Sequence, residues 1–382
     1  MYPLQLNKMF KRIQIPDLYF FFLVLLISSF GAVMVYSASS VVALDKYGDS
    51  IFYLKRQLTF LLGGFFCLWI ILETNYESWM AKGAWILAAA TLSLILVYVP
   101  GIGVRVGGGL RWITLAGFRL QPAEFSKLAL VIYLSWALAR KGDAIRSFYY
   151  GFLPMLLISG TLAFLVLKQP DFGNATILML LALTMIFLAG GRIGYLAGLV
   201  LALAPIAFAL MTGEAYRRRR LLAFLNPWDD PQNTSYQIVQ SFTAFFSGGM
   251  WGRGLGNSQE KIHYLPEVHT DFIGAIVGEE LGFLGATLMV VAFFLLVYRG
   301  FQIARHAKDY SGYLLASGCT CIIGYQFVLN LAVVTGLLPT KGLPLPLVSH
   351  GGSSLISTLM ACGFILSVAR QSNSQAHSQR AQ

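Results

Sequence analysis

The twelve residues Lys261-Ile262-His263-Tyr264-Leu265-Pro266-Glu267-Val268-His269-Thr270-Asp271-Phe272 form the densest polar cluster of a largely apolar chain. Imidazoles and carboxylates at this density are the groups that move protons or hold metals. Pro266 interrupts any helical spacing among His263, Glu267, His269 and Asp271, which argues against a tight protein-bound metal site. Asp271 stands where the cluster meets a long apolar stretch. It is either the N-cap of the following helix, a position that favours Asp and Thr, or a base facing a bound molecule, supported by Glu267, His269 and Thr270.

A second set consists of charges inside apolar segments, which are costly there and mark functional candidates. Gln121-Pro122 opens one segment, and Glu124 and Lys127 follow at i and i+3 on one helical face, close enough to pair. Asp171, in Lys168-Gln169-Pro170-Asp171-Phe172-Gly173, lies at a helix start, where the dipole favours a carboxylate, and within reach of Lys127. One reading is an ion pair that fixes helix packing. The other is a polar cavity below one membrane face, lined by Glu124, Lys127 and Asp171. For Glu279 and Glu280 the structural reading is preferred.

A third set is basic. Arg56, Arg111 and Lys341 point to an anionic substrate such as a lipid phosphate or pyrophosphate, held by charge-assisted bonds; Trp112 is a platform for a sugar or lipid, or an interfacial anchor. For the run Arg217 to Arg220, attraction to anionic headgroups is an equal alternative. The final loop, Gly336 to Ser354, carries three prolines and several glycines. There Ser349, Gly351, Gly352 and Ser353 bring hydroxyls and backbone N–H groups to a helix start, a weak generic signal for anion binding.

The elements that must position these groups are membrane helices. Of 382 residues, 57% are hydrophobic and 12% charged, against about 25% charged in soluble domains, so a water-soluble fold is excluded. Apolar stretches of spanning length place about ten helices, near 18–40, 54–72, 83–99, 122–139, 151–167, 174–190, 193–211, 272–297, 311–336 and 350–369. The fold class is an all-α polytopic membrane protein, a single transmembrane domain over 1–382, with a long extracytoplasmic loop at 212–271. That loop interleaves aromatic and polar residues, and Ser241 to Phe246 reads as helical. Lys and Arg are denser on the side of the N-terminus, which puts both termini in the cytoplasm. Cys67, Cys319, Cys321 and Cys362 fall inside spans and read as small buried residues. The tail 371–382, rich in Ser and Gln, reads as disordered.

Several segments together resemble the SEDS family, the shape, elongation, division and sporulation proteins of bacterial walls, and within it the division type. They are Gly109-Leu110-Arg111-Trp112-Ile113, Gln121-Pro122-Ala123-Glu124-Phe125-Ser126-Lys127, Gln169-Pro170-Asp171-Phe172-Gly173, Tyr264-Leu265-Pro266-Glu267, His269-Thr270-Asp271-Phe272, Pro339-Thr340-Lys341-Gly342 and Gly351-Gly352-Ser353-Ser354. The resemblance implies a peptidoglycan glycosyltransferase that polymerises lipid II at the septum of the inner membrane, with a class B penicillin-binding protein and other division proteins as partners. No nucleic acid is implied. It carries the essential loop aspartate over to Asp271, and the membrane charges to Glu124, Lys127 and Asp171. His350 departs from the family pattern, which has Tyr there, and His263 stands where division proteins often carry an acidic residue.

A donor linked to a lipid pyrophosphate brings its own leaving group, so one base and some cations suffice. Asp271 is the expected base. No tightly bound cofactor is expected; a divalent cation, Mg or Mn, carried by the substrate pyrophosphate is the auxiliary such a reaction could use. Three alternatives stand beside this reading: a transporter of the lipid-linked precursor, a non-catalytic scaffold for the partner enzyme, and a polymerase of the elongation type.

Overall fold

A helix occurs at each of the ten apolar segments, and the reasons are local. In the computed structural model, residues 16–106, 109–115, 118–213, 218, 222, 224–231, 235–261 and 268–380 are described. Asp17 accepts from the Phe20 N–H at 2.9 Å and opens α1 (Leu18–Tyr47), which Gly48 ends in the left-handed region at φ 68°. Next come α2 (Phe52–Glu73), a short α3 (Tyr76–Ala81) and α4 (Gly83–Leu96). Pro122, which lacks the N–H that a first turn leaves unused, opens α5 (Pro122–Lys141). The chain continues through α6 (Leu153–Lys168), α7 (Phe172–Leu188) and α8 (Ile193–Thr212). In the long loop, α9 (Tyr236–Gly248) contains the stretch expected to be helical. The C-terminal third is α10 (Ile273–Arg305), α11 (Tyr310–Val334) and α12 (Gly352–Arg380).

Among the described residues, six helices are long and apolar enough to cross a membrane by themselves. The best apolar window of α12 is 83% buried and that of α11 67%, against 22% for α10. So α11 and α12 form the middle of the bundle, with α12 packed most extensively on α2 and α11 on α10, while most of the apolar window of α10 stays unburied.

Two features depart from expectation. A three-stranded antiparallel sheet joins α4 to α5: β1 (Gly103–Val106), β2 (Gly109–Leu115) and β3 (Phe118–Leu120), with Val104 opposite Trp112 and Ile113 opposite Leu120. Short β-branched runs parted by Gly107-Gly108 are a hairpin signal that a search for spans passes over. The second is the end of α12, which continues beyond the expected span end at 369 to Arg380. No Gly or Pro after Gly363 stops the helix.

α10 is broken at Gly282, where φ is 68° and ψ −167°. The bonds that a continuous helix would make from Phe283 to Glu279 and from Leu284 to Glu280 are taken over by the glycine-rich strap after α9. The Phe283 and Leu284 N–H groups donate to the carbonyls of Gly249 (2.9 Å) and Met250 (3.2 Å). In return, the N–H groups of Arg253 and Gly254 donate to the carbonyls of Glu279 (3.0 Å) and Glu280 (2.9 Å). The side chains seal the same joint. Glu279 accepts from the Gln259 N–H at 2.8 Å and from the Ser258 hydroxyl, and Glu280 from the Ser37 hydroxyl at 2.6 Å and from Lys261 at 3.1 Å. Both glutamates hold the loop to the helix, as the structural reading had it.

A Cβ on Gly282 would lie 2.3 Å from the Gly252 nitrogen, in a backbone region that L side chains avoid. Gly282→Ala is therefore expected to destabilise the protein by about 1–3 kcal/mol, read as a lower melting temperature in detergent; an unchanged melt would refute this account of the joint.

Candidate active site

Asp271 sits immediately before α10. The N-cap of that helix is Phe272, so Asp271 stands one position ahead of the cap. Its surroundings come from the final loop. A Cβ on Gly342 would lie 3.1 Å from Asp271 Oδ2, so the Pro339-Thr340-Lys341-Gly342 run closes against the carboxylate. The Asn330 amide, from the middle of the bundle, donates to the carbonyls of both Asp271 (2.9 Å) and Leu343 (2.7 Å).

The neighbouring residues are clasped in the same way. The His350 N–H donates to the His269 carbonyl at 2.8 Å, and the Ser349 hydroxyl bonds the Thr270 carbonyl while accepting from the Leu345 N–H at 2.8 Å. Gln57 of α2 donates to the Ser349 carbonyl at 3.3 Å, and its Oε1 lies 3.2 Å from His350 Nδ1. The Tyr53 ring meets both histidines, tilted against His269 with centroids 4.3 Å apart and edge-on to His350 at 5.2 Å. Arg56, exposed one turn away over the Phe52 ring, adds a cation to this face.

Beside this clasp lies a second polar assembly. Asp171 caps α7: it accepts from the Asn174 N–H at 3.1 Å, from the Asn174 amide at 3.0 Å and from the Gln121 amide at 3.1 Å. The Gln121 N–H in turn donates to the Ser353 hydroxyl at 2.9 Å, tying the starts of α5, α7 and α12 together. Asp171 thus turns to its own helix start, and the expected reach to Lys127 is not made. Lys127 pairs with Glu124 at 2.9 Å, and both side chains are fully buried. Glu124 also accepts from Gln326 at 3.1 Å and Ser357 at 3.4 Å, so the pair joins α5, α11 and α12. Gln326 Oε1, Ser354 Oγ and Thr358 Oγ1 are buried with no partner, which keeps this interior polar.

Three readings from the sequence shift. The Arg111 Nε and Nη2 donate to the carbonyls of Gln169 (3.0 Å) and Pro170 (2.6 Å), so this arginine clamps the turn before Asp171. Trp112, partly buried in β2, follows it in the sheet. Gly352 is needed because the Phe60 ring presses on it: a Cβ there would meet the ring at 2.5 Å. Gly351 meets only ordinary contacts, and its carbonyl accepts from Leu355 in the first turn of α12. His263 and Glu267 lie outside the described residues, as do Arg217, Arg219 and Arg220. Among the described residues, no group of three His, Cys, Asp or Glu is placed to hold a metal.

The sequence reading missed Asn330, Gln326, Gln57 and Tyr53, because it searched the spans for charges. The available signal was an uncharged amide in an apolar helix, which needs partners as a charge does.

Comparison with known proteins covers the same segments. The profile of a family described as "Cell cycle protein", built on FtsW, RodA and SpoVE, matches residues 17–374. A probable peptidoglycan glycosyltransferase FtsW from Geobacter sulfurreducens is 44% identical over 358 residues, 94% of this chain and 96% of its own. Stage V sporulation protein E of Bacillus subtilis is 41% identical over 357 residues, 94% of this chain and 98% of its own. Among solved structures, a chain of a peptidoglycan synthase complex that coordinates polymerisation and crosslinking aligns with a TM-score of 0.77 at 28% identity, covering 93% of this chain and 98% of that one. The rod shape determining protein RodA of Thermus thermophilus aligns with a TM-score of 0.69 at 28% identity, covering 93% and 97%.

Two outcomes follow from the geometry. Removing one partner of a buried pair leaves an uncompensated charge, so Glu124→Leu is expected to cost about 3–5 kcal/mol, whereas Glu124→Leu with Lys127→Leu recovers most of it. Thermal melts of the two variants check this, and equal losses would reject a packing role. Burial first, then His269 and Arg56, pushes His350 down to about 4. The unfolded chain takes up that proton near pH 6.5 and the folded one only near 4, so stability is lost as pH falls through this window. His350→Tyr should flatten the fall in melting temperature between about pH 6.5 and 4; parallel curves would sink the assignment.

Proposed function

The chain belongs to the cell cycle protein family of FtsW, RodA and SpoVE, the SEDS proteins, and from that premise we infer that it polymerises lipid II into glycan strands for the division septum. It is a polytopic membrane protein and a peptidoglycan glycosyltransferase of the FtsW type. The identity of 44% to FtsW relatives across nearly their whole length, against 28% to RodA, favours the division type over the elongation type. At the level of residues, one observation supports the reading: the loop that carries Lys341 packs against the Asp271 carboxylate through Gly342, just ahead of α10.

Asp271 takes the proton from the 4-hydroxyl of the acceptor GlcNAc as that oxygen attacks the anomeric carbon of the donor with inversion. The lipid pyrophosphate leaves, and cations stabilise its charge; Lys341 and Arg56 are the groups for this, with a divalent ion that travels on the pyrophosphate as an auxiliary. Asn330, Ser349 and the His350 backbone hold the 269–271 segment still, so that the carboxylate is positioned before substrate arrives. Arg111 acts one step back, on the turn that presents Asp171. The partner is a membrane-anchored class B penicillin-binding protein, in keeping with the coupling of polymerisation to crosslinking in the synthase complex that this chain resembles; other division proteins would join it at the septum. Both termini lie in the cytoplasm in this reading.

A transporter would use broken helices to line its path. The break at Gly282 is instead closed by backbone bonds to the strap, which take up the Glu279 and Glu280 carbonyls. A scaffold would tolerate loss of the loop carboxylate. Asp271→Asn, purified with its partner and supplied with labelled lipid II, is expected to lose about 10²- to 10⁴-fold in strand synthesis; strand formation at the normal rate would refute the assignment of the base and revive the scaffold.

A further inference from the structure

The loop that carries Lys341 lies between the segment that ends in Asp271 and the start of α7. On one side Gly342 lies against Asp271, as described. On the other, a Cβ on Gly173, two residues into α7 from Asp171, would meet the Leu343 side chain at 2.7 Å, so the loop packs directly on the helix start that Asp171 caps. The Asn330 amide fastens Leu343 from below, and the Leu343 N–H donates to the Lys341 carbonyl at 2.9 Å, tightening the turn. Lys341 is itself partly buried, whereas Asp171 is only 3% exposed. The guanidinium of Arg111, the third charged group here, is occupied by the carbonyls of Gln169 and Pro170.

We propose that Asp171 is a positioning residue for catalysis: it serves as the counter-ion that keeps the Lys341 ammonium charged within the protein, so that Lys341 meets the pyrophosphate of a lipid-linked donor as a cation. This rests on the donor-binding part of the reading above. An ammonium removed from water loses its proton more readily unless an opposite charge stands near. Burial pushes Lys341 below its ordinary value, and the Asp171 carboxylate acts against that. Asp171 reaches no substrate in this scheme. Its other oxygen contacts, to Asn174 and Gln121, fix where the charge sits.

The test separates charge from shape. Asp171→Asn keeps an N-cap oxygen for the Asn174 N–H and removes the charge, and Asp171→Ser repeats the substitution should the Asn chain not fold. Binding of undecaprenyl pyrophosphate to the full chain in nanodiscs is measured from pH 6.5 to 9.5, together with kcat/KM for lipid II in the presence of the partner. The neutral variant is expected to lose binding and kcat/KM at an alkaline midpoint about one pH unit or more below that of the unaltered chain. Adding Lys341→Arg, whose guanidinium stays charged throughout, should abolish that shift. Superimposable profiles for the unaltered chain and the neutral variant would overturn the proposal, as would a shift that persists with arginine at 341 or an unaltered chain that does not bind the pyrophosphate. Shifted binding from a chain that makes no strands would support the counter-ion role and overturn the polymerase reading instead.

Discussion

One uncharged amide, Asn330, holds two backbone carbonyls from opposite sides of the site, those of Asp271 and Leu343. An amide inside an apolar helix must find acceptors or forfeit the solvation it lost on burial. Its two N–H bonds therefore fix the distance between the segment that ends in Asp271 and the loop that carries Lys341. The remaining contacts confirm the same registration: Ser349 bonds Thr270, the His350 N–H bonds the His269 carbonyl, and Gln57 anchors Ser349 and His350 to α2. Two segments brought together by such bonds cost little reorganisation when a ligand arrives.

The same need to satisfy buried polar groups explains the two assemblies beside the site. Glu124 and Lys127 neutralise each other out of water, and Gln326 and Ser357 take up the remaining carboxylate oxygen. Asp171 is satisfied by a helix start and two amides rather than by Lys127. Two carboxylates that look alike in the sequence thus do different work. One ties three helices together. The other sets the charge state of a loop.

The break in α10 follows a third version of this rule. In hydrocarbon, freed backbone groups need partners within the protein, and the strap from Gly249 to Gly254 supplies them one for one. The long loop is thereby fastened to the membrane helix before it reaches the polar run that ends in Asp271. Glu279 and Glu280, the most acidic spot in any span, are consumed in that fastening.

The sequence alone determined the helices and their approximate ends and singled out Asp271 as a candidate, since each of these depends on local composition. Apolar length sets a span, Pro122 and Asp17 set helix starts, and an aspartate before an apolar stretch stands out by its own chemistry. The amides Asn330, Gln57 and Gln326 were present in the sequence but carried no visible meaning, because a hydrogen bond across 59 or 292 residues leaves no spacing to read. Only the tertiary structure decided that Asp171 faces Lys341's loop rather than Lys127, that Arg111 clamps a turn, and that Gly282 breaks a helix. Each of those outcomes depends on which segments touch, and contact between distant segments is set by packing the whole bundle rather than by any one stretch of chain.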